Sequence, residues 1–280
     1  MTKHEIPADL EHYLTLAVDC ARQAGALLEQ GYEKEKRVEH KSSAVDWVTE
    51  YDRASEELIV GRLTAAYPGH GIVGEEGSRR ESQDGHAWYI DPLDGTSNYA
   101  HNFPVFSVSI ALYKDDVPLV GVVFDPLRDE LFTAVQGWGA FLTRAGTKQR
   151  LQVSHVASLT AGLIATGFPY DSHTSQHNNI TELGAFLRRA QGIRRAGSAA
   201  LDMAYVAAGR LDGYWEFKLR AWDMAAARLI VEEAGGVLTQ PDGQPIQMQE
   251  ILAVVANNGR IHGEMLEVLA QAAAQRGAQD

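Results

Sequence analysis

Between residues 106 and 142 the chain carries a pattern that few folds can absorb. Phe106, Val108, Ile110 and Leu112 alternate with Ser107, Ser109 and Ala111, the two-residue period of a half-buried strand. Apolar runs follow at 119–124, 130–135 and 140–142, and the segments between them, 114–118, 125–129 and 137–139, are only turn-sized. Parallel neighbours need a crossover of about a dozen residues or more. These strands must therefore pair antiparallel, as a meander, and its apolar face requires a covering layer.

Helical periodicity supplies that cover. Leu10, Tyr13, Leu14, Ala17, Ala21, Ala24 and Leu28 fall on one face of a helix ending near Gly31. A second helix begins at Thr49, passes through Leu58, Ile59 and Leu63, and is stopped by Pro68 and Gly69. The polar segment 33–43 between them reads as a loop or mobile flap. Beyond residue 160 the period alternates, with strands at 163–166, 213–217 and 252–256. Helices are expected around 180–190 and 199–208, from Asp223 to the stop at Gly235 and Gly236, and from Ile261 onward. No repeat or composition break marks a linker. The expected class is a layered α+β and α/β sandwich, alternating αβαβα, with a largely antiparallel N-terminal sheet and a second, mixed sheet. Residues 1–150 form an N-terminal α+β region and 151–280 a C-terminal α/β region, in one unit with the site between them.

With 280 residues and 45% apolar content the chain can bury a large core. Its net charge of −12 makes nucleic acid an unlikely partner, because neutralisation of phosphates by Lys and Arg supplies most non-specific affinity. Small anions remain accessible if a cation intervenes. The lone Cys20 excludes an internal disulfide and Cys-based zinc sites, and Ala26 stands where a cysteine phosphatase carries its arginine. No apolar run approaches the ~18 residues of a transmembrane span, and the charged first nine residues lack a signal-peptide core. A cytoplasmic protein without a membrane partner is expected.

The densest chemical signal is Trp88-Tyr89-Ile90-Asp91-Pro92-Leu93-Asp94-Gly95-Thr96. An apolar strand delivers two carboxylates and then turns at a glycine, where the backbone can approach a ligand closely. If a helix starts near Thr96, its free amides point where the carboxylates do. Carboxylates hold hard cations and helix-start amides hold phosphate. Taken alone, Asp94-Gly95 is an ordinary turn. Two further acidic sites weaken that reading: Gly74-Glu75-Glu76-Gly77 after the strand Ile72-Val73, and Trp222-Asp223 at a helix start, where Asp223 alone would be an N-cap. Phosphate-loop, dinucleotide, H-E-x-x-H and G-x-S-x-G motifs are absent. Asp91 and Asp94 are three apart rather than two, which disfavours an aspartyl-phosphate intermediate and favours carboxylates that hold metal for attack by water. The ten histidines show no metal-ligand spacing, and His101, His155 and His177 read as surface or packing residues.

Five ordered motifs resemble those of the inositol monophosphatases, in the lithium-sensitive, magnesium-dependent phosphomonoesterase superfamily. Asp91-Pro92-Leu93-Asp94-Gly95-Thr96 is similar to the family's first signature, and Trp222-Asp223-Met224-Ala225 through Glu233-Ala234-Gly235-Gly236 to its second. Lys41-Ser42-Ser43 with Asp46-Trp47-Val48-Thr49 and Asp52, Gly74-Glu75-Glu76, and Gly197-Ser198-Ala199-Ala200 occur in the family's order.

The resemblance implies a magnesium-dependent phosphomonoesterase acting on a small polyol phosphate, with myo-inositol monophosphate the leading substrate. Glu75, Asp91 and the Leu93 carbonyl would hold one magnesium; Asp91, Asp94 and Asp223 a second; a third would sit near Glu75. Asp52 and Thr96 would orient the attacking water with Glu75, and Lys41 would add positive charge nearby. The amides of Gly95 and Thr96 would cradle phosphate. Glu216, helped by Asp94, Ala199 and Asp223, would bind substrate hydroxyls, and Arg220 faces the site in the same reading. Asp52 is also the third helical residue of a capping box begun by Thr49, which by itself explains its type. Alternative substrates are histidinol phosphate, fructose 1,6-bisphosphate, a 3′-phosphoadenosine nucleotide and NADP. A second phosphate would need a basic pocket, for which Arg194, Arg195, Lys218 and Arg220 are candidates. The alternative class is a regulatory protein that binds RNA or transcription machinery. A homodimer is implied, with the meander as a candidate contact surface.

Overall fold

The computed structural model describes residues 6–41 and 46–277. The N-terminal elements are helix α1 (Ala8–Gly31), strands β1 (Val38–His40) and β2 (Trp47–Thr49), helix α2 (Glu50–Ala66), strands β3 (Gly71–Gly74), β4 (Arg79–Arg80) and β5 (His86–Asp94), and the short helix α3 (Thr96–Ala100). The meander comprises β6 (Ser107–Lys114), β7 (Val117–Asp125), β8 (Glu130–Val135), β9 (Gly139–Arg144) and β10 (Thr147–Arg150). Then come β11 (Leu163–Thr166), helix α4 (Ile180–Leu187), β12 (Gly192–Arg194), helix α5 (Ala199–Ala207), β13 (Gly213–Leu219), helix α6 (Ala221–Glu233), β14 (Val237–Thr239), β15 (Leu252–Asn257) and helix α7 (His262–Gly277).

Eight strands form one sheet in the order β10-β9-β8-β7-β6-β5-β3-β4. Every neighbouring pair is antiparallel except β3 with β5. The second sheet, in the order β12-β11-β13-β15-β14, is mixed, with the first three strands parallel and the rest antiparallel. Five layers result: α1 and α2 pack on one face of the large sheet, α5 and α6 lie between the sheets, and α4 and α7 cover the far side. The inner layer is one apolar cluster reaching from Ala111 to Ala256, while Trp88, Ile90 and Ile110 pack under the first helices. The expected layered class is the one observed.

Three local expectations differ. The strand read as half-buried is buried on both faces along 107–113, because α6 and the start of α5 cover the side on which Ser107, Ser109 and Ala111 point. A two-residue period reports side-chain polarity, and small hydroxyls fit against a helix as well as against water. The segment read as a loop or flap contains β1, an exposed strand paired to β2 from Val38↔Thr49 to His40↔Trp47; Ser42 and Ser43 lie outside the described residues. Finally, α6 begins at Ala221, placing Asp223 at its third position rather than at its cap. The short strands β12 and β14 carry too few residues to show a period.

Helix α6 lies so close to the large sheet that a Cβ on Gly121 would stand 2.6 Å from the Ala226 carbonyl oxygen. Gly121→Ala should therefore lower the stability by about 1–3 kcal/mol, the typical cost of overpacking, read as a reduced denaturation midpoint. An unchanged midpoint would contradict this packing.

Candidate active site

Asp91 and Asp94 are an odd number of residues apart, so a regular strand would send them to opposite faces. The register of β5 against β6 shifts between them: Asp91 pairs with Ser109 and Asp94 with Ser107. Three steps on one strand match two on the other, and the extra residue of this bulge returns both carboxylates to one side. Pro92, which has no amide proton for the ladder, sits within the bulge. Its carbonyl accepts from Ser55 Oγ at 3.0 Å, and Asp91 Oδ1 accepts from the Leu93 amide at 3.0 Å. Gly95 then turns the chain at φ 101° into α3. A Cβ there would lie 3.0 Å from the Val105 carbonyl oxygen and 3.1 Å from that of Gly197, so the position demands glycine twice over.

Asp91, Leu93, Asp94, Gly95 and Thr96 line a cavity of about 890 Å³ together with Lys41, Glu75, Ala199, Glu216 and Asp223. Of the residues expected to hold metal, orient water or bind phosphate and polyol, Asp52 is the one not on its wall. It is fully buried behind Thr96, whose Oγ1 donates to Asp52 Oδ1 at 2.8 Å, while Asp52 Oδ2 accepts from the Thr49 amide and hydroxyl at 2.8 and 2.6 Å. One oxygen of Asp52 thus caps α2 and the other reaches Thr96. Glu75 follows β3, and its amide donates to the Ile90 carbonyl at 3.1 Å.

Glu56 was missed by sequence reasoning. From the buried stripe of α2 its carboxylate accepts the amides of Glu76 and Ser78 at 2.8 and 3.0 Å, and a side chain at Gly74 would collide with it. It thereby holds the turn that presents Glu75. The available signal was an acid in line with Ile59 and Leu63, on a face that should be apolar.

The second half of the chain anchors and completes the wall. Asp94 accepts from Ser198 Oγ at 2.5 Å and from the amides of Ala200 and Ala199 at 2.8 and 3.2 Å, so the positive end of α5 faces this carboxylate. Asp223 Oδ2 accepts the Arg220 amide at 2.7 Å. Glu216 projects from β13, takes a hydrogen bond from the Tyr214 hydroxyl, and rests against Gly167, where any Cβ would collide with it. Asn179, also unforeseen, fixes that glycine by donating to the Thr166 hydroxyl and the Gly167 carbonyl at 2.7 and 2.6 Å while accepting from Trp215 Nε1 at 2.5 Å.

The wall is electrostatically strained. Burial, then the charge of Glu75, pushes the Asp91 and Asp223 carboxyls well above the usual range. Burial also raises Asp94 to about 6, against the Ser198 hydrogen bond, and Glu216 to about 7, against that from Tyr214. Asp52 reaches about 6 by burial, opposed by Thr49. Lys41 bridges Glu75, at 2.9 Å, and Glu76; burial lowers its affinity for a proton, but the two carboxylates outweigh this and raise it. Among the described residues no cation forms an ion pair with Asp91, Asp94 or Asp223. Buried acids with oxygen-only donors, including the Leu93 carbonyl, fit a hard divalent cation.

Two other groupings resolve differently. His70, Asp84 and His86 bring ligand atoms within 4.8 Å of one another. Trp88 Nε1, which can only donate, is 3.0 Å from His70 Nδ1. The neutral ring must then carry its proton on Nε2, facing Asp84, and it stacks on His86 at 4.6 Å. The sequence spacing shows no such grouping of histidines; the fold makes it, and the Trp88 bond and the ring stacking give His70 a packing role. Of the proposed basic pocket, Arg194 is exposed and off the wall, Arg195 lines it, and Lys218 and Arg220 line it while pairing with Asp171 at 2.6 Å and Glu250 at 2.9 Å.

The chain matches the model of the Inositol monophosphatase family over residues 9–277. It is 43% identical over 265 residues to an inositol-1-monophosphatase of Synechocystis sp., covering 94% of this chain and 91% of the relative. It is 42% identical over 255 residues to the Nus factor SuhB of Escherichia coli, covering 90% and 94%. The solved inositol monophosphatase from Anabaena (Nostoc) superposes with a TM-score of 0.83 at 39% identity, covering 94% and 97%.

Folded-state values near 6 for Asp52 and Asp94 and near 7 for Glu216 lie above the ordinary carboxylate range of about 4. The stability these groups contribute is complete below that range and is lost as pH rises through 6 and 7. In chelator, the melting temperature should fall between about pH 5 and pH 7.5, and added magnesium should restore it most at the upper end. A chelated protein whose melting temperature rises over that window would refute this electrostatic picture.

Proposed function

Because the chain belongs to the inositol monophosphatase family, we propose that it hydrolyses a small polyol phosphate, best read as myo-inositol monophosphate, to the alcohol and inorganic phosphate. The observation that carries this reading is the meeting of Glu75, Asp91, Asp94 and Asp223 in one cavity, with the start of α3 beside them and Glu216 on the same wall. Glu75, Asp91 and the Leu93 carbonyl would hold one magnesium, Asp91, Asp94 and Asp223 another, and Glu75 a weaker third. Bound there, the ions would offset the charge of the phosphate dianion and lower the pKa of a coordinated water.

The protein's own groups do the positioning. The Thr96 hydroxyl spends its single proton on Asp52, so its oxygen is left to accept from a water held near Glu75. Lys41 keeps positive charge beside Glu75. The first amides of α3, at Gly95 and Thr96, lack helical acceptors and suit phosphate oxygens. Glu216 has an oxygen beyond the Tyr214 bond for a substrate hydroxyl, next to Asp94 and Asp223; the Ala199 amide is itself engaged with Asp94. Residues 1–150 would supply most metal ligands and 151–280 Asp223 and the substrate contacts.

The ion pairs of Lys218 and Arg220 favour a monophosphate over fructose 1,6-bisphosphate, a 3′-phosphoadenosine nucleotide or NADP, since of the four basic residues considered for a second phosphate they leave Arg195 alone on the wall outside an ion pair among the described residues. Histidinol phosphate differs only in its alcohol and is the nearest alternative. The name Nus factor SuhB, borne by relatives such as that of Escherichia coli, supports a second reading as a regulatory protein of RNA or the transcription machinery. The full set of acids and the net charge of −12 favour catalysis. Lithium sensitivity, a homodimer and a cytoplasmic location accompany the family reading; among the described residues no helix is long and apolar enough to cross a membrane.

Asp91→Asn keeps an oxygen for the Leu93 amide while removing the charge. It should cut magnesium-dependent phosphate release from inositol monophosphate by about a hundredfold or more with the fold intact by circular dichroism. Undiminished release would overturn the assignment.

A further inference from the structure

One turn into α5, Asp202 lines the same cavity yet is only 2% exposed. Its Oδ1 meets no hydrogen-bond partner among the described residues. Leaving a buried acceptor unsatisfied is costly, and native proteins tolerate it mainly where a ligand or ordered water completes the bonding. Packing does not ask for an acid here: the neighbouring buried positions of α5 are Ala200, Leu201, Met203 and Ala204. A first-turn carboxylate does complement the helix dipole, but an exposed one would do so without desolvation. Burial, then the charges of Glu216 and Asp94, hold the Asp202 carboxyl well above its ordinary range, and Arg195, also on the cavity wall, opposes them. Glu216 and Asp202 are thus electrostatic neighbours, presented by β13 and α5 in one recess.

We propose that Asp202 is a specificity-determining residue of the alcohol subsite, where it and Glu216 together recognise a leaving alcohol bearing two neighbouring hydroxyls, each carboxyl taking one. The Asp202 contact is made directly or through one bound water. This inference rests on the polyol-phosphate reading. An alcohol lacking the second hydroxyl leaves Asp202 unsatisfied, and selection against it follows from that unmet bond rather than from a clash.

The test compares wild type, Asp202→Asn and Asp202→Ala on inositol 1-phosphate and on p-nitrophenyl phosphate, whose leaving group has no further hydroxyl. Asp202→Asn preserves the side-chain shape and guards against a misfolded alanine variant. Asp202→Ala should raise KM for inositol 1-phosphate about tenfold, the worth of one hydrogen bond, and leave kcat/KM for p-nitrophenyl phosphate within about twofold. Asp202→Asn, which retains an acceptor oxygen, should fall between. Equal losses on both substrates, or no loss on either, overturn the proposal while leaving the polyol reading standing. A wild-type enzyme that releases phosphate from p-nitrophenyl phosphate but from no polyol phosphate overturns both.

Discussion

Like charges gathered on one cavity wall repel strongly where burial lowers the local dielectric, and the placement of Glu75, Asp91, Asp94 and Asp223 obliges the surrounding structure to answer that repulsion. The answers are local and separate. Asp94 is met by the positive end of α5, Asp223 by the amide of Arg220 that caps α6, and Glu75 by Lys41. Asp91 has little beyond the Leu93 amide, and burial followed by the charge of Glu75 raises its proton affinity. What remains uncompensated is the reason a hard cation suits the cavity, and also the reason protons compete with it.

The scaffold that holds these acids is stiff where it matters. A bulge in β5 rephases one strand so that both of its carboxylates share a face. Glu56 clamps the turn after β3 through two amides, and Asp52 ties the cap of α2 to the first residue of α3. Each device converts an ordinary element end into a fixed donor position. Because α5 and α6 lie between the two sheets, their N-termini reach the same cavity from the C-terminal half without any long loop.

Much of this was legible in the chain. The meander followed from turn lengths, and the three acidic sites stood out because acids gathered at strand or helix ends, two of the three beside glycines. The capping box from Thr49 to Asp52 was readable from spacing alone. Glu56, Asn179 and Asp202 were not, since each lies within an apolar or polar run whose partners are distant in sequence: Glu56 serves amides about twenty residues away and Asn179 a tryptophan from another strand. The burial of both faces of β6 was likewise invisible, because nothing in its own residues announces that the start of α5 will meet Ser107 and that α6 will lie across Ser109.

By itself, then, the order of residues determined the element types, the antiparallel pairing and the chemical character of the site, since these depend on local periodicity, turn length and side-chain type. Tertiary structure alone decided which acids share a face, which are neutralised by a helix end, and which cations are already spent on ion pairs at the cavity rim. Those outcomes hinge on a one-residue register shift and on layer packing between segments far apart in the chain, and neither leaves a periodic trace in the sequence that produces it.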